Sequence, residues 1–231
     1  MSVLGHETEI KRSYEFLIQL SARPRLILDI GANYGTHSIL FLVHGIRTIS
    51  FEPNAKCHKF FQNLCSHNGV PCPIEPLAVG RQEGVVELWF PETEEWLGTI
   101  DPAAKQRLES VGEIVKVEAG QTTVDEYIRR HQLRPDLIKI DTEGNDLNVL
   151  LGSLQTLAVC RPLVIFESWQ DDGRMPAFEF LAAHGYRVCN LPIVPGETPE
   201  PLTAAVFSHT GSANFLAVAE EMLAIWPPEF A

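Results

Sequence analysis

Two short apolar runs, RLILDI at 25–30 and IRTISF at 46–51, are separated by a glycine-bearing turn and a helical-looking stretch at 36–44. That connection is too long for a tight hairpin and long enough for a crossover, so the runs are expected to pair in parallel as a β-α-β unit. A parallel pair needs cover on both faces. The rest of the chain must supply it.

It does so by alternation. NAKCHKFFQNLCSHNG places Cys57, Phe60, Phe61, Leu64 and Cys65 at helical spacing, and Asn68-Gly69 ends the run. PIEPLAVG at 73–80 reads as a third strand, weakened by its two prolines. Residues 81–120 break the rhythm: VVELWF and EIVKVEA are β-rich, with a glutamate-rich stretch between them. They are expected to form an antiparallel embellishment, or a strand pair with a loop over the site. Thr123 and Glu126 fit a capping box for the short helix DEYIRRHQ.

DLIKID at 136–141 is a fourth strand, and NDLNVLLGSLQTL after it sets Leu147, Leu150, Leu151, Leu154 and Leu157 on one helical face. PLVIFE at 162–167, the helix MPAFEFLAAHG, the strand YRVCN and a last strand in ANFLAVAE at 213–220 complete the series. Residues 191–212, rich in Pro, Gly and Thr, read as a long loop. The expected fold is α/β, a doubly wound, mostly parallel sheet in one domain. Its parts are an N-terminal helical segment at 1–24, a cofactor-binding core at 25–167 and an acceptor-side region at 168–231.

Composition narrows the partners. The net charge is −12, and no Lys/Arg run exceeds Arg129-Arg130 before His131 interrupts it. Nucleic acid and anionic membrane surfaces bind clustered cations, so neither is an expected partner. The five cysteines are an odd number with no C-x-x-C, which reads as free thiols in a reducing compartment. MSVLGHETEIKRSYEF carries charges where a signal peptide needs an apolar run, and no segment approaches a membrane span. A cytoplasmic location is expected.

LDIGANYGTHS at 28–38 marks the first ligand site. Ligands of open parallel sheets bind past the carboxyl ends of the strands, and a glycine there lets a ligand approach the backbone. The dinucleotide fingerprint G-x-G-x-x-G does not fit, because Asn33 and Thr36 stand where glycines are required. Asp29, expected inside the turn, suits an ammonium or hydroxyls better than two phosphates. Glu52 closes the second strand 21 residues after Gly31, where an acid accepts hydrogen bonds from both ribose hydroxyls. The pattern fits an adenosyl-methionine donor better than a nicotinamide dinucleotide.

LIKIDTEGNDLNVLLGSL at 137–154 marks the second. Asp141 ends the fourth strand and Glu167 the fifth, so both are expected to face the cleft. They could serve as general base on an acceptor hydroxyl, or together hold a hard divalent cation. Asp146 reads as a helix cap rather than a catalyst. Lys139 shares a pleat face with Asp141 and reads as its structural partner.

Taken in order, LDIGANYGTHS, FEPN, PLAVG followed by Gly84, LIKIDTEGNDLNVLLGS and PLVIFE resemble the FkbM family of methyltransferases over roughly residues 25–167. The resemblance implies a seven-stranded Rossmann-like fold, S-adenosylmethionine as donor, and O-methylation of a hydroxyl on a small molecule, sugar or natural product. It implies that Asp29, Gly31, Asn33, Gly35 and Glu52 bind the donor, that Ala78 lies near the adenine, and that Asp141 and Glu143 belong to the active-site signature. One departure is Asp146, where the family more often has Glu.

His37 is close enough in sequence to reach the cleft, although a side chain on the first crossover facing neighbouring structure is the simpler expectation. His209, in the late loop, is a second candidate. Trp89, Phe90, Trp96 and Trp169 are either an apolar acceptor pocket or ordinary packing. Two rivals to the methyltransferase reading are a nicotinamide-dependent oxidoreductase and a non-catalytic module that binds an adenosyl ligand.

Overall fold

The structure, a computed structural model, describes residues 8–170, 173–228 and 230. From the N-terminus come α1 (Thr8–Gln19), β1 (Leu26–Ile30), α2 (Ser38–Leu42), β2 (Arg47–Phe51), α3 (Ala55–His67), β3 (Ile74–Glu75) and β4 (Leu77–Val79). Next are β5 (Gly84–Pro91), α4 (Pro102–Leu108), β6 (Ile114–Thr122), α5 (Val124–His131), β7 (Leu137–Ile140), α6 (Asp146–Leu151) and α7 (Leu154–Cys160). The chain closes with β8 (Leu163–Glu167), α8 (Arg174–Ala183), β9 (Tyr186–Asn190), α9 (Ala204–His209), β10 (Asn214–Ala219) and α10 (Glu220–Ala224).

Seven strands form one sheet in the order β3-β2-β1-β7-β8-β10-β9, and β10 alone runs antiparallel to its neighbours. The central strands β1 and β8 are buried at every position, as a sheet covered on both faces requires. Alternation along β1 sorts its residues into two layers. Leu26, Leu28 and Ile30 pack with α5 to α9, whereas Ile27 packs with Ile10, Tyr14 and Leu17 of α1 and Phe41 of α2. A third cluster, around Phe61 and Cys65, seats α3 against Ala32 and Leu42.

The sequence expectation for 73–80 needs correction. It is not one strand: β3 pairs with β2 in the main sheet, and β4 pairs with β6 in a separate three-stranded sheet of order β4-β6-β5. Pro76 lies between them and has no N–H to continue a ladder. The expected antiparallel pairing of the β-rich insertion is present, from Gly84↔Gln121 to Pro91↔Ile114.

The helix expected through Leu147 to Leu157 is broken into α6 and α7. A Cβ on Gly152 would meet the Gly80 carbonyl at 2.1 Å, so the backbones touch at the break. Asp125 of α5 supplies the cap that α7 lacks, accepting from the backbone N–H groups of Gln155 (2.9 Å) and Thr156 (2.8 Å). Leu150 and Leu157 are buried, but Leu154 faces outward. Within 191–212, expected as loop, α9 starts at a Thr203 cap and buries Phe207. Phe60 also departs from the expected buried face of α3; it is exposed and packs on Tyr34. Among the described residues no helix is long and apolar enough to cross a membrane, and all five cysteines are free.

Candidate active site

A cavity opens at the carboxyl ends of β1, β2 and β7, between the main sheet and the insertion. Its lining includes Gly31, Asn33, Glu52, Ala78, Asp141 and Glu143, so six residues singled out from the sequence meet there. Its apolar walls come from Ile30, Phe51, Leu77, Val79, Leu88 and Ile100. It takes in about 600 Å³ of non-protein space counting its open mouth.

Both glycines of the turn are required by close packing against the protein. Both have left-handed φ angles of 78°. A Cβ on Gly31 would lie 1.7 Å from the Asp141 carbonyl oxygen, and one on Gly35 would lie 2.1 Å from the Phe61 ring. They make room for the end of β7 and for α3, and Gly31 also lines the cavity. Gly35 lies outside the cavity lining. The N–H groups of Gly31 and Ala32 both donate to the Phe51 carbonyl, which pins the turn to the end of β2.

Asp29 is also placed differently from the expectation. It is a strand residue, 1 % exposed, and its Oδ2 accepts from the Ser38 hydroxyl at 2.5 Å. Ser38 in turn contacts the Ser50 hydroxyl at 2.7 Å. The Lys139 ammonium, also buried, stands 3.6 Å from Asp29 and 3.1 Å from Asp141. Lys139 is thus the structural partner that its pleat position suggested, and Asp29 lies behind the cavity wall, outside its lining.

Glu52 is the best-organised polar group of the cavity. Its Oε1 accepts from the Asn54 backbone N–H at 2.7 Å and its Oε2 from the Asn33 N–H at 2.8 Å. Burial pushes its pKa up to about 7, against the pull of those two N–H groups. Each carboxylate oxygen keeps a second acceptor site, and the Asn33 Oδ1 is buried without a hydrogen-bond partner. An unpaired acceptor beside an anchored carboxylate calls for a ligand rich in donors.

The insertion covers this site. Asn33 Nδ2 donates to the Trp96 carbonyl at 2.9 Å, and Asn54 Nδ2 donates to the Glu95 carbonyl at 2.8 Å. Thr99 Oγ1 donates to the Glu143 carbonyl at 2.9 Å, tying the insertion to the other wall. Trp96 lines the cavity, whereas Phe90 belongs to the core of the second sheet. Trp169 is half-exposed and donates its indole N–H to Glu167 at 2.8 Å.

Three acids crowd the turn after β7. Glu143, with a left-handed φ of 52°, lines the cavity; burial and the charges of Asp141 and Asp146 raise its pKa to about 7. Asp146 is raised to about 7, again mainly by burial, and its Oδ1 accepts from both the N–H (3.0 Å) and the hydroxyl (3.1 Å) of Thr142. It braces the turn, as a cap does. Glu167 is raised to about 10 by burial and the neighbouring carboxylates, and it does not line the cavity. Among the described residues no group of three or more His, Cys, Asp or Glu is arranged to hold a metal ion.

His37 is buried against α1, its Nδ1 3.2 Å from the Tyr14 hydroxyl, and His209 is occupied on its own helix by Ala205 and Ser208. Neither lines the cavity. Residues that the sequence did not single out are Asn54, Glu95, Gly98, Ile100 and Asn145. Asn145 is a brace, donating to the Val79 carbonyl at 2.9 Å. FEPN held the signal for Asn54, two residues past Glu52. Nothing local in the sequence marks Gly98 or Ile100, which reach the cavity only through the pairing of the insertion.

A seven-stranded sheet with one reversed strand, and a ligand cleft at the ends of its central strands, define a class I methyltransferase fold. The sequence profile of the methyltransferase FkbM domain matches residues 29–188, and the chain belongs to that family. It is 24% identical over 192 residues to the methyltransferase sdnD of Sordaria araneosa, covering 71% of this chain and 74% of that protein. Among solved structures it is similar to a methyltransferase FkbM from Methylobacillus flagellatus, with a TM-score of 0.52 and 14% identity over 84% of this chain. The match spans only 43% of that longer chain, and at such identity the likeness speaks for the fold alone.

Proposed function

We propose that this methyltransferase takes its methyl group from S-adenosylmethionine and delivers it to a hydroxyl of a small molecule, sugar or natural product. The observation that carries the donor is Glu52, fixed by two backbone N–H groups at the mouth of an apolar cavity. Its two free acceptor sites suit a ribose diol, the walls of Leu77, Val79, Leu88 and Ile100 suit a purine, and the unpaired Asn33 Oδ1 suits a further donor group. The sulfonium of such a donor supplies an electrophilic methyl.

The chain's own part is then alignment and removal of one proton from the acceptor. Glu143 is the group we assign to that proton. It lines the cavity, and a pKa near 7 lets it be ionised yet basic at neutral pH. Asp141 is held by Lys139, and Glu167 stands outside the cavity lining with its carboxyl on the Trp169 indole. The proton passes from the acceptor hydroxyl to a Glu143 carboxylate oxygen.

Calorimetric titration of the ligand-stripped chain with adenosylhomocysteine, with NAD in parallel, tests the donor. Micromolar binding of adenosylhomocysteine that disappears in Glu52→Ala is expected, and would justify an acceptor screen with and without magnesium. Binding of NAD alone, or of neither, overturns the reading.

A further inference from the structure

We propose that Asn54 is a positioning residue of the donor site and latches residues 94–98 as a strap over the bound adenosyl group. The inference rests on the donor reading above.

Glu52 and the strap share their anchors. The Asn54 N–H holds Glu52 Oε1, and the Asn54 side-chain amide holds the Glu95 carbonyl. Asn33 repeats the arrangement with Glu52 Oε2 and the Trp96 carbonyl. Two neighbouring carbonyls of the strap are therefore fastened to the two residues that orient the carboxylate.

Otherwise the strap is lightly held. At its C-terminal end the backbones of Thr99 and Trp89 exchange hydrogen bonds at 2.9 Å each way. Within it, Glu94 N–H donates to Pro91 and Leu97 N–H to Glu94. None of residues 92–98 belongs to the buried core. Beyond the two asparagines, the Cys57 thiol approaches the Glu95 carbonyl at 4.0 Å and the side chains of Tyr34 and Glu95 share a hydrogen bond. A segment with little apolar burial and a few side-chain hydrogen bonds opens at low cost. Since Glu95, Trp96 and Gly98 line the cavity, opening exposes the donor, and closing keeps water from it.

Asn54 also caps α3, its Oδ1 accepting from the Lys56 N–H at 3.1 Å. The test must separate the two duties. Asn54→Ser keeps a capping oxygen but is too short to reach Glu95. Stopped-flow release of adenosylhomocysteine is expected to be roughly three- to tenfold faster from Asn54→Ser than from the native chain, the worth of one neutral hydrogen bond. Cleavage after Glu92, Glu94 or Glu95 by a glutamate-specific protease, read by mass, is expected to be slowed by adenosylhomocysteine in the native chain and less so in the variant. A purely structural role would change neither the release rate nor ligand protection. Native binding with unchanged release in Asn54→Ser and no ligand protection of the strap overturns the latch and leaves the donor reading standing. No adenosylhomocysteine binding by the native chain overturns both.

Discussion

Glu52 is 8 % exposed, and its pKa stands at about 7 where an ordinary glutamate has 4.5. The folded chain thus keeps a proton over a pH range in which the unfolded chain has lost it. The stabilising contribution of this group is complete below the ordinary carboxylate value and drains away as pH rises through about 7. Between pH 5.5 and 8 the loss comes to about 2 kcal/mol. Glu52→Gln does not titrate. The amide does set an NH2 against one of the two backbone N–H groups, a cost of about 1–3 kcal/mol, but that cost is the same at every pH. The stability of the variant relative to the native chain is therefore expected to improve by about 2 kcal/mol from pH 5.5 to pH 8, or about 4–8 °C in melting temperature. Urea unfolding of the ligand-free proteins, followed by tryptophan fluorescence at four pH values, measures it. Glu143, Asp146 and Glu167 titrate in both proteins and cancel to first order. A stability difference that stays flat across the range would refute the argument that burial holds Glu52 protonated near neutrality.

If Glu143 takes the acceptor proton as proposed, Glu143→Gln is expected to lower turnover at least 100-fold while adenosylhomocysteine binds within about threefold of native. In the native enzyme kcat/KM should rise with pH to a plateau above about 7 as this raised carboxyl ionises; a flat profile with an active Gln variant would remove it from the mechanism. Lys139→Met leaves Asp29 as a buried charge without its cation and should cost about 3–5 kcal/mol, much of it recovered in the Lys139→Met, Asp29→Asn double variant. A single variant within about 0.5 kcal/mol of native would mean that the pair is dispensable. Gly31→Ala must place a Cβ 1.7 Å from a backbone oxygen at a left-handed φ, so its unfolding midpoint should fall steeply. A native-like melt would show that the turn relaxes freely.

The main sheet could be read from the sequence because each central strand is a continuous apolar run and each crossover carries a helical period. Those signals are local. What escaped lies between segments: Pro76 sends β3 and β4 to different sheets, and the Gly152 backbone must touch the Gly80 carbonyl, which splits one apparent helix in two. The cavity was legible at Gly31, Glu52 and Asp141, since strand ends in such a sheet share one edge, and at Asn33, Ala78 and Glu143 through the family resemblance. Gly35 and Asp29 were recognised through the same motif, yet their side of the turn packs on protein. A pattern of residue types records that positions matter together without recording which neighbour each one serves. Likewise, Glu167 and Asp141 end adjacent strands as expected, but the Trp169 indole takes up the Glu167 carboxylate.

The second sheet joins the body at both of its ends, through β4 after β3 and through β6 into α5, and its far end comes back to rest on the cleft. Because Leu88, Trp96 and Ile100 of this insertion also wall the cavity, a change in its length or register alters the chamber and its cover together.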